Sequence, residues 1–469
     1  MNNSKSNKVL LTIIGALLFL HPLGAQTNVA PVSLQQFLNN MQSNYELLKS
    51  QGSLVQARQA EKTAVTYKRL PHFNTMFQAA VSSNNNLQGT YQSYGMIPSI
   101  TGGTRAKSDL NAISGDVAFA GLNWEAVNFG EYKAREDVAK LNLLVQSNEF
   151  ASTRYDLNGI ASAYYLELIR QFELQNIEQD NVTRLQQLKV SIDAMVNSGL
   201  RPGVDSMVAG AELSRSKVGM YQAQKNLAQI RVQLSTLTGL SANVLMPDTN
   251  DETKLLKDGV AYVFTSVIDT VHHPYINLYS SLYDLGRSKF KLENKSYYPR
   301  IWFDANGWVK GSSVSYNDQY NSNLLDGYAP GRFNYFVGLT LTYDIMNIVH
   351  KRLNASVARF EADAAYHQLQ NEKAALNDEV QRALIEKDFQ TNKLFETGNQ
   401  LESASSAYSQ QLGLYKSGLS SVIELNTALS YYITAQKDYL DARVGLMKSV
   451  LNYSLVTNSF NTLVQTLKL

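Results

Sequence analysis

Hydrophobic positions along the chain recur in two periods, and the switches between them mark out the elements. Residues 33–68 read as a helix, with Ser33 as N-cap and Gln36 completing a capping box, and Pro71 stops it. From there the period becomes two: Pro71, Phe73, Phe77, Ala79 and Val81 alternate with His72, Asn74, Gln78 and Ser82. The alternation returns with Ile301, Phe303, Ala305 and Val309 against Arg300, Asp304, Asn306 and Lys310. It returns again with Tyr335, Val337, Leu339, Leu341 and Tyr343 against Gly338, Thr340, Thr342 and Asp344. Residues 116–124 are less regular, because Val117 and Phe119 fall on the nominally polar face. Strands are therefore expected at 71–82, 114–125, 299–310 and 334–344.

Two stretches without proline, 130–198 and 349–417, predict helices of nearly 70 residues, each about 100 Å long at ~1.5 Å per residue. Leu185, Leu188, Ile192 and Met195 form a heptad-like seam, as do Leu394, Leu401, Tyr408 and Tyr415. Returning helices are expected over 204–238 and 422–458, the latter continuing the seam with Val422, Leu425, Leu429 and Tyr432. Their other faces carry Gln, Asn, Ser and scattered charges. Such helices cannot close a compact core and must associate laterally.

The order of elements occurs twice. Gly199-Leu200 and Gly418-Leu419 lie 219 residues apart, and at that offset Val204-Asp205 matches Ile423-Glu424. The register holds upstream through Leu166-Glu167 and Ile385-Glu386 to Asn128 and Asn347. Two repeats, 26–248 and 249–469, account for the chain after an N-terminal segment, 1–25, that reads as a cleaved secretory signal. In that segment Lys5 and Lys8 precede an apolar run of about a dozen residues, too short to span a bilayer.

Strands of about ten residues with one apolar face fit the roughly 9–11 needed to cross a bilayer in a β-barrel. Trp302, Trp308, Tyr297, Tyr298, Tyr335 and Tyr343 crowd this zone, as an interfacial girdle does. A soluble sandwich with an aromatic core also alternates, but four strands make a poor sandwich and the helices are too long to wrap it. The intervening loops, 82–114 and 311–334, are rich in Asn, Ser, Gly and Tyr.

Composition narrows the function. A net charge of +2 over 469 residues argues against a nucleic-acid binder, and the absence of cysteine removes disulfides, thiolate metal sites and cysteine nucleophiles. No zinc-protease pair, nucleophile elbow or phosphate loop is present, and Gly102-Gly103 sits in a polar loop, so no enzyme, cofactor or metal is expected. His272-His273 lacks a third ligand at helical spacing.

Duplicated Pro junctions at Pro71 and Pro299 carry a resemblance to a known family. So do the hinges Val127-Asn128-Phe129-Gly130 and Met346-Asn347-Ile348-Val349, and the turns beginning Gly199-Leu200 and Gly418-Leu419. In this order the chain resembles the TolC-like outer membrane efflux proteins, over essentially all of residues 26–469. The second hinge departs from the family pattern, having Val349 where glycine is usual. The resemblance implies a mainly α protein whose long antiparallel coiled-coil helices form a periplasmic α-barrel. It implies four strands per chain in a homotrimeric twelve-stranded outer-membrane barrel. It further implies a passive exit duct of a tripartite efflux pump or type I secretion system. Such a duct docks to a periplasmic adaptor (membrane fusion protein) and an inner-membrane transporter of RND or ABC type. A non-conducting exported coiled-coil scaffold is the competing reading, and it gives no reason for strands placed twice at matching positions.

For the sites, Gly199, Leu200, Gly418 and Leu419 are expected at the helix tips, either as left-handed C′ positions alone or, by the resemblance, also as the adaptor-docking surface. Asp205 and Glu424 are expected as helix-start carboxylates. Asp193, Glu402, Lys189 and Lys416 are the candidates for a pore constriction, with an exposed-face role as the alternative. Pro71, Pro299, Asn128, Gly130 and Asn347 are expected at the hinges where strands meet helices.

Overall fold

A computed structural model describes residues 31–83, 108, 110–265, 268–314, 321, 323–346 and 348–468. The expected signal segment, Gly102-Gly103 and Asn347 lie outside the described residues. In chain order the elements are α1 (Leu34–Asn44), α2 (Glu46–Tyr67), β1 (His72–Ser82), β2 (Ile113–Val127), α3 (Glu131–Asn197) and α4 (Gly203–Thr238). The short α5 (Thr249–Lys254) and α6 (Val260–Thr265) flank a π-helical turn, and α7 (Pro274–Ser296), β3 (Arg300–Ser312) and β4 (Arg332–Thr342) follow. The chain ends with α8 (Ile348–Lys416), α9 (Val422–Val456) and α10 (Phe460–Leu467). The fold is mainly α with one four-stranded sheet, and α3 and α8 run for 67 and 69 residues. Among the described residues no helix is long and apolar enough to cross a membrane.

Two compact units divide the chain, and each draws elements from both halves of the sequence. The first, residues 50–153 and 270–378, holds the sheet. Its strands are antiparallel in the order β1-β2-β3-β4. Register decides the faces. Phe73 lies opposite Leu122 and Phe77 opposite Ala118; Leu122 and Ala118 in turn face Ala305 and Val309. Those residues face Val337 and Phe333, and Phe303 faces Leu339. The result is one apolar face continuous across all four strands. The opposite face carries Asn74, Gln78, Asn123, Asp304, Asn306, Asn334 and Thr340, with Asn123 donating to Asp304 at 2.6 Å.

Large side chains on the apolar face stand exposed on this single chain: Phe73 68%, Phe77 68%, Tyr335 76%, Leu339 72% and Leu341 67%. Exposed single apolar residues are ordinary, but a whole exposed sheet face marks a surface that meets lipid or protein. β1 and β4 are also both edges, each with a row of unpaired backbone groups.

The second unit takes residues 154–269 and 379 onward together with the chain up to 49. Where the sequence predicts one helix over 33–68, the structure turns at Tyr45 (φ −71°, ψ 120°). The reason is tertiary. Asn44 Nδ2 donates to the Thr238 carbonyl at 2.8 Å, and the Leu34 N–H at the other end of α1 donates to Asp251 at 2.8 Å. With both ends tied and Leu34, Phe37, Leu38 and Met41 buried, α1 is held by its neighbours rather than by its continuation. Ser33 Oγ accepts from the Gln36 N–H at 3.3 Å, so the N-cap is where the sequence places it. The second half of α9 is buried on most sides, from Leu440 through Val456. Val450 of α9 and Leu467 of α10 close over Gly259 in the π turn, where a Cβ would come within 3.2 Å of Val450.

Candidate functional site

The tip turns belong to the helical unit. Each long helix ends in a glycine of left-handed conformation, Gly199 at φ 74° and Gly418 at φ 82°. At the first, the Leu200 N–H donates to Met195 O at 2.9 Å and the Gly199 N–H to Val196 O at 3.0 Å. At the second, Leu419 donates to Leu414 O at 2.9 Å and Gly418 to Tyr415 O at 3.1 Å. These are two Schellman motifs with the same bonds at equivalent places, satisfying carbonyls that a helix end otherwise leaves bare. No side chain lies within 4 Å of either glycine's missing Cβ, so the backbone angle alone demands glycine. Just beyond them Leu200 and Leu419 are 74% and 77% exposed, and Met207 and Ile423 are exposed beside them.

Beneath these turns Leu185, Leu188, Ile192, Tyr408, Tyr415, Val422, Leu425 and Leu429 form a buried cluster. The sequence predicts two equivalent helix-start carboxylates; the structure holds two different ones. Glu424 completes a capping box, accepting from the Ser421 N–H at 3.0 Å while Ser421 Oγ accepts from the Glu424 N–H at 3.2 Å. These bonds, first to the Ser421 backbone, hold its carboxyl below the usual range. Asp205 stands in the first turn of α4, whose N-cap, Pro202, makes no side-chain bond. Its buried carboxylate instead accepts from the Tyr415 hydroxyl at 2.9 Å. Arg201 stacks 4.3 Å from the Tyr415 ring and donates to the Tyr415 carbonyl. Burial, and then the Asp205 carboxylate, push the Tyr415 hydroxyl up to about 12. Tyr415 thus ties the α8 tip to the α4 start. Its heptad spacing marks it only as seam, and nothing local in the sequence points to a partner 210 residues away.

Of the four constriction candidates, the structure brings two together. Lys189 donates to Asp193 at 2.5 Å, and Asp193 also accepts from Ser206 at 2.6 Å. The ammonium, then the hydroxyl, hold the Asp193 carboxyl below its usual range. Glu402 and Lys416 are exposed on α8, and neither has an ion pair among the described residues.

The junctions belong to the sheet unit. Pro71 and Pro299 each immediately precede a strand, β1 and β3. Between β2 and α3 the chain turns through Phe129 (φ 48°) and Gly130 (φ 94°), with the Glu131 N–H donating to Asn128 O at 3.1 Å. Asn128 is buried and its Nδ2 has no partner among the described residues. A charge cluster missing from the sequence reading anchors this turn. Arg300, first residue of β3, lies 3.0 Å from Glu131 and 3.8 Å from Glu125, and Arg135 also pairs with Glu131. Glu131 and Glu125 are 2% and 8% exposed. Strand alternation assigns Arg300 merely to the polar face; only the fold shows the two carboxylates that it serves.

No family model and no curated protein matches this sequence. Solved structures do. CusC, whose structures describe folding and transmembrane channel formation, matches with a TM-score of 0.72 at 13% identity over 90% of this chain and 91% of that one. The Campylobacter jejuni CmeC outer membrane channel matches with a TM-score of 0.69 at 14% identity over 91% and 86%. VceC, an outer membrane protein of Vibrio cholerae, matches with a TM-score of 0.68 at 12% identity over 91% and 96%. With its four-stranded sheet, its two long helices and its paired tip turns, this chain has the fold of the TolC-like outer-membrane channels.

Proposed function

We propose that the protein is a trimeric outer-membrane channel with its helices in the periplasm, serving as the exit duct of a tripartite efflux pump or type I secretion system. The observation that carries this reading is the sheet: one continuous apolar face and two unpaired edges in a piece too small to close alone. Lipid cannot satisfy free backbone groups, so such a sheet is stable in a bilayer only when copies join edge to edge. Three copies pair β4 of one with β1 of the next and leave no edge. The recurrence of the same elements and tip turns in both halves supports the reading of the chain as a duplicated unit. The protein is expected to fractionate with the outer membrane and to run as a heat-labile trimer in mild detergent. Recovery as a soluble monomer from the periplasm would sink the proposal.

The exposed leucines at the tips, held by rigid glycine turns, suit a docking surface for a periplasmic adaptor linked to an inner-membrane transporter. Gly199→Val and Gly418→Val place a β-branched residue at positive φ, at a local cost of about 1–2 kcal/mol or more. The expected result is normal trimer abundance with weaker adaptor cross-linking and reduced export of a reporter compound. Gly130→Val, at the strand-to-helix turn, should lower trimer yield itself. Tip variants that export normally would remove the docking assignment.

A further inference from the structure

Asp116 sits near the loop end of β2 on the sheet's apolar face, opposite Ala79 on β1 and Gly311 on β3. The 3₁₀ turn Leu324–Tyr328 folds over it. Ser114 anchors that turn: its Oγ donates to Leu324 O at 2.5 Å, and its backbone exchanges bonds with Ser313 at 3.0 Å. Asp116 is only 6% exposed, and its Oδ1 is enclosed without a hydrogen-bond partner among the described residues. The glycine opposite shows what surrounds that oxygen. A Cβ built on Gly311 would lie 2.6 Å from the carbonyl oxygens of both Gly327 and Ala329, and closer still to Asp116 Oδ1. Three oxygens therefore converge on one small region.

An ionised carboxylate and two carbonyls are acceptors only, so they cannot satisfy one another. Burying the Asp116 carboxylate among them without a donor or a cation is strongly unfavourable. Lys310 and Arg332 stand on neighbouring register positions, but on the opposite face, and no ion pair joins Asp116 among the described residues. We propose that Asp116 Oδ1 and the carbonyl oxygens of Gly327 and Ala329 form a site for Ca²⁺, which pins the Leu324–Tyr328 turn onto the rim of the sheet. All-oxygen donors select a hard cation, and an irregular set with two main-chain carbonyls suits Ca²⁺ better than Mg²⁺, which demands near-ideal octahedral geometry. A single carboxylate sets the dissociation constant in the weak range of extracellular modules, on the order of 10⁻⁴–10⁻³ M.

The inference stands on the sheet unit alone and does not depend on docking or export. The test uses full-length protein, purified in detergent and stripped with a chelator, with CaCl₂ as the probe. Titration calorimetry should show saturable binding. Chymotryptic cleavage within Leu324–Tyr328 should slow by about tenfold at a Ca²⁺ concentration near ten times the dissociation constant. MgCl₂ should do much less. Asp116→Asn, which keeps the shape and lets an amide donate to a carbonyl, should fold, lose the binding and lose the calcium-dependent protection. Asp326→Asn should keep both, because that exposed carboxylate is already engaged by the Asn323 amide at 3.0 Å. Equal binding by Asp116→Asn, or no binding up to about 10 mM, overturns the site.

Discussion

Leu339→Arg is expected to abolish most trimer assembly, whereas Thr340→Arg, one residue along, should assemble and alter conductance. Leu339 lies opposite Phe303 on the apolar face and Thr340 opposite Trp302 on the other. A guanidinium on the lipid side of a barrel costs about 2–4 kcal/mol near the bilayer midplane and less toward the interfaces. Leu341→Arg, nearer the end of β4, should therefore impair assembly less than Leu339→Arg. In a trimer each substitution enters three times, so even the lower figure is large against ordinary stability margins. Heat-labile trimer abundance in membrane fractions and single-channel conductance measure the two outcomes. Equal tolerance at all three positions would mean that the apolar face does not meet lipid.

Arg300→Ala should be the most damaging single change at the junction. It leaves Glu131 and Glu125, both buried, with Arg135 as the remaining cation close to Glu131. Removing one partner of a buried pair typically costs about 3–5 kcal/mol, because a charge stays behind without compensation. Arg300 is itself a third exposed, which moves the expectation to the lower end of that range. Arg300→Met combined with Glu131→Gln should recover much of the loss, since both charges go together. Thermal unfolding of the detergent-solubilised protein, followed by circular dichroism, reads both variants. A double variant no better than Arg300→Ala would show that the arginine acts by packing.

Much of the fold is legible locally. Period-two alternation locates the strands to within a few residues, and proline-free stretches locate α3 and α8. Both depend on neighbours two to four positions apart, which any stretch of chain carries within itself. The tip glycines are equally local, because a helix that stops needs a residue tolerant of positive φ. What alternation leaves unexplained is Phe119: it lies on the polar face, as its spacing says, but opposite Met76 and Trp308, a cross-strand grouping that no single strand reveals.

The sequence by itself therefore determined which segments are helix or strand, where they turn, and which strand faces are apolar. Tertiary structure alone decided the rest. It paired β2 with β3 across the two halves, turned the first helix at Tyr45, joined Tyr415 to Asp205, and gathered Arg300 with Glu125 and Glu131. It also enclosed Asp116 beneath a turn more than 200 residues later. The physical reason is the same in each case. Backbone periodicity is satisfied within a segment, but a buried charge or hydroxyl must find its partner wherever the fold brings one, and sequence spacing carries no record of that distance.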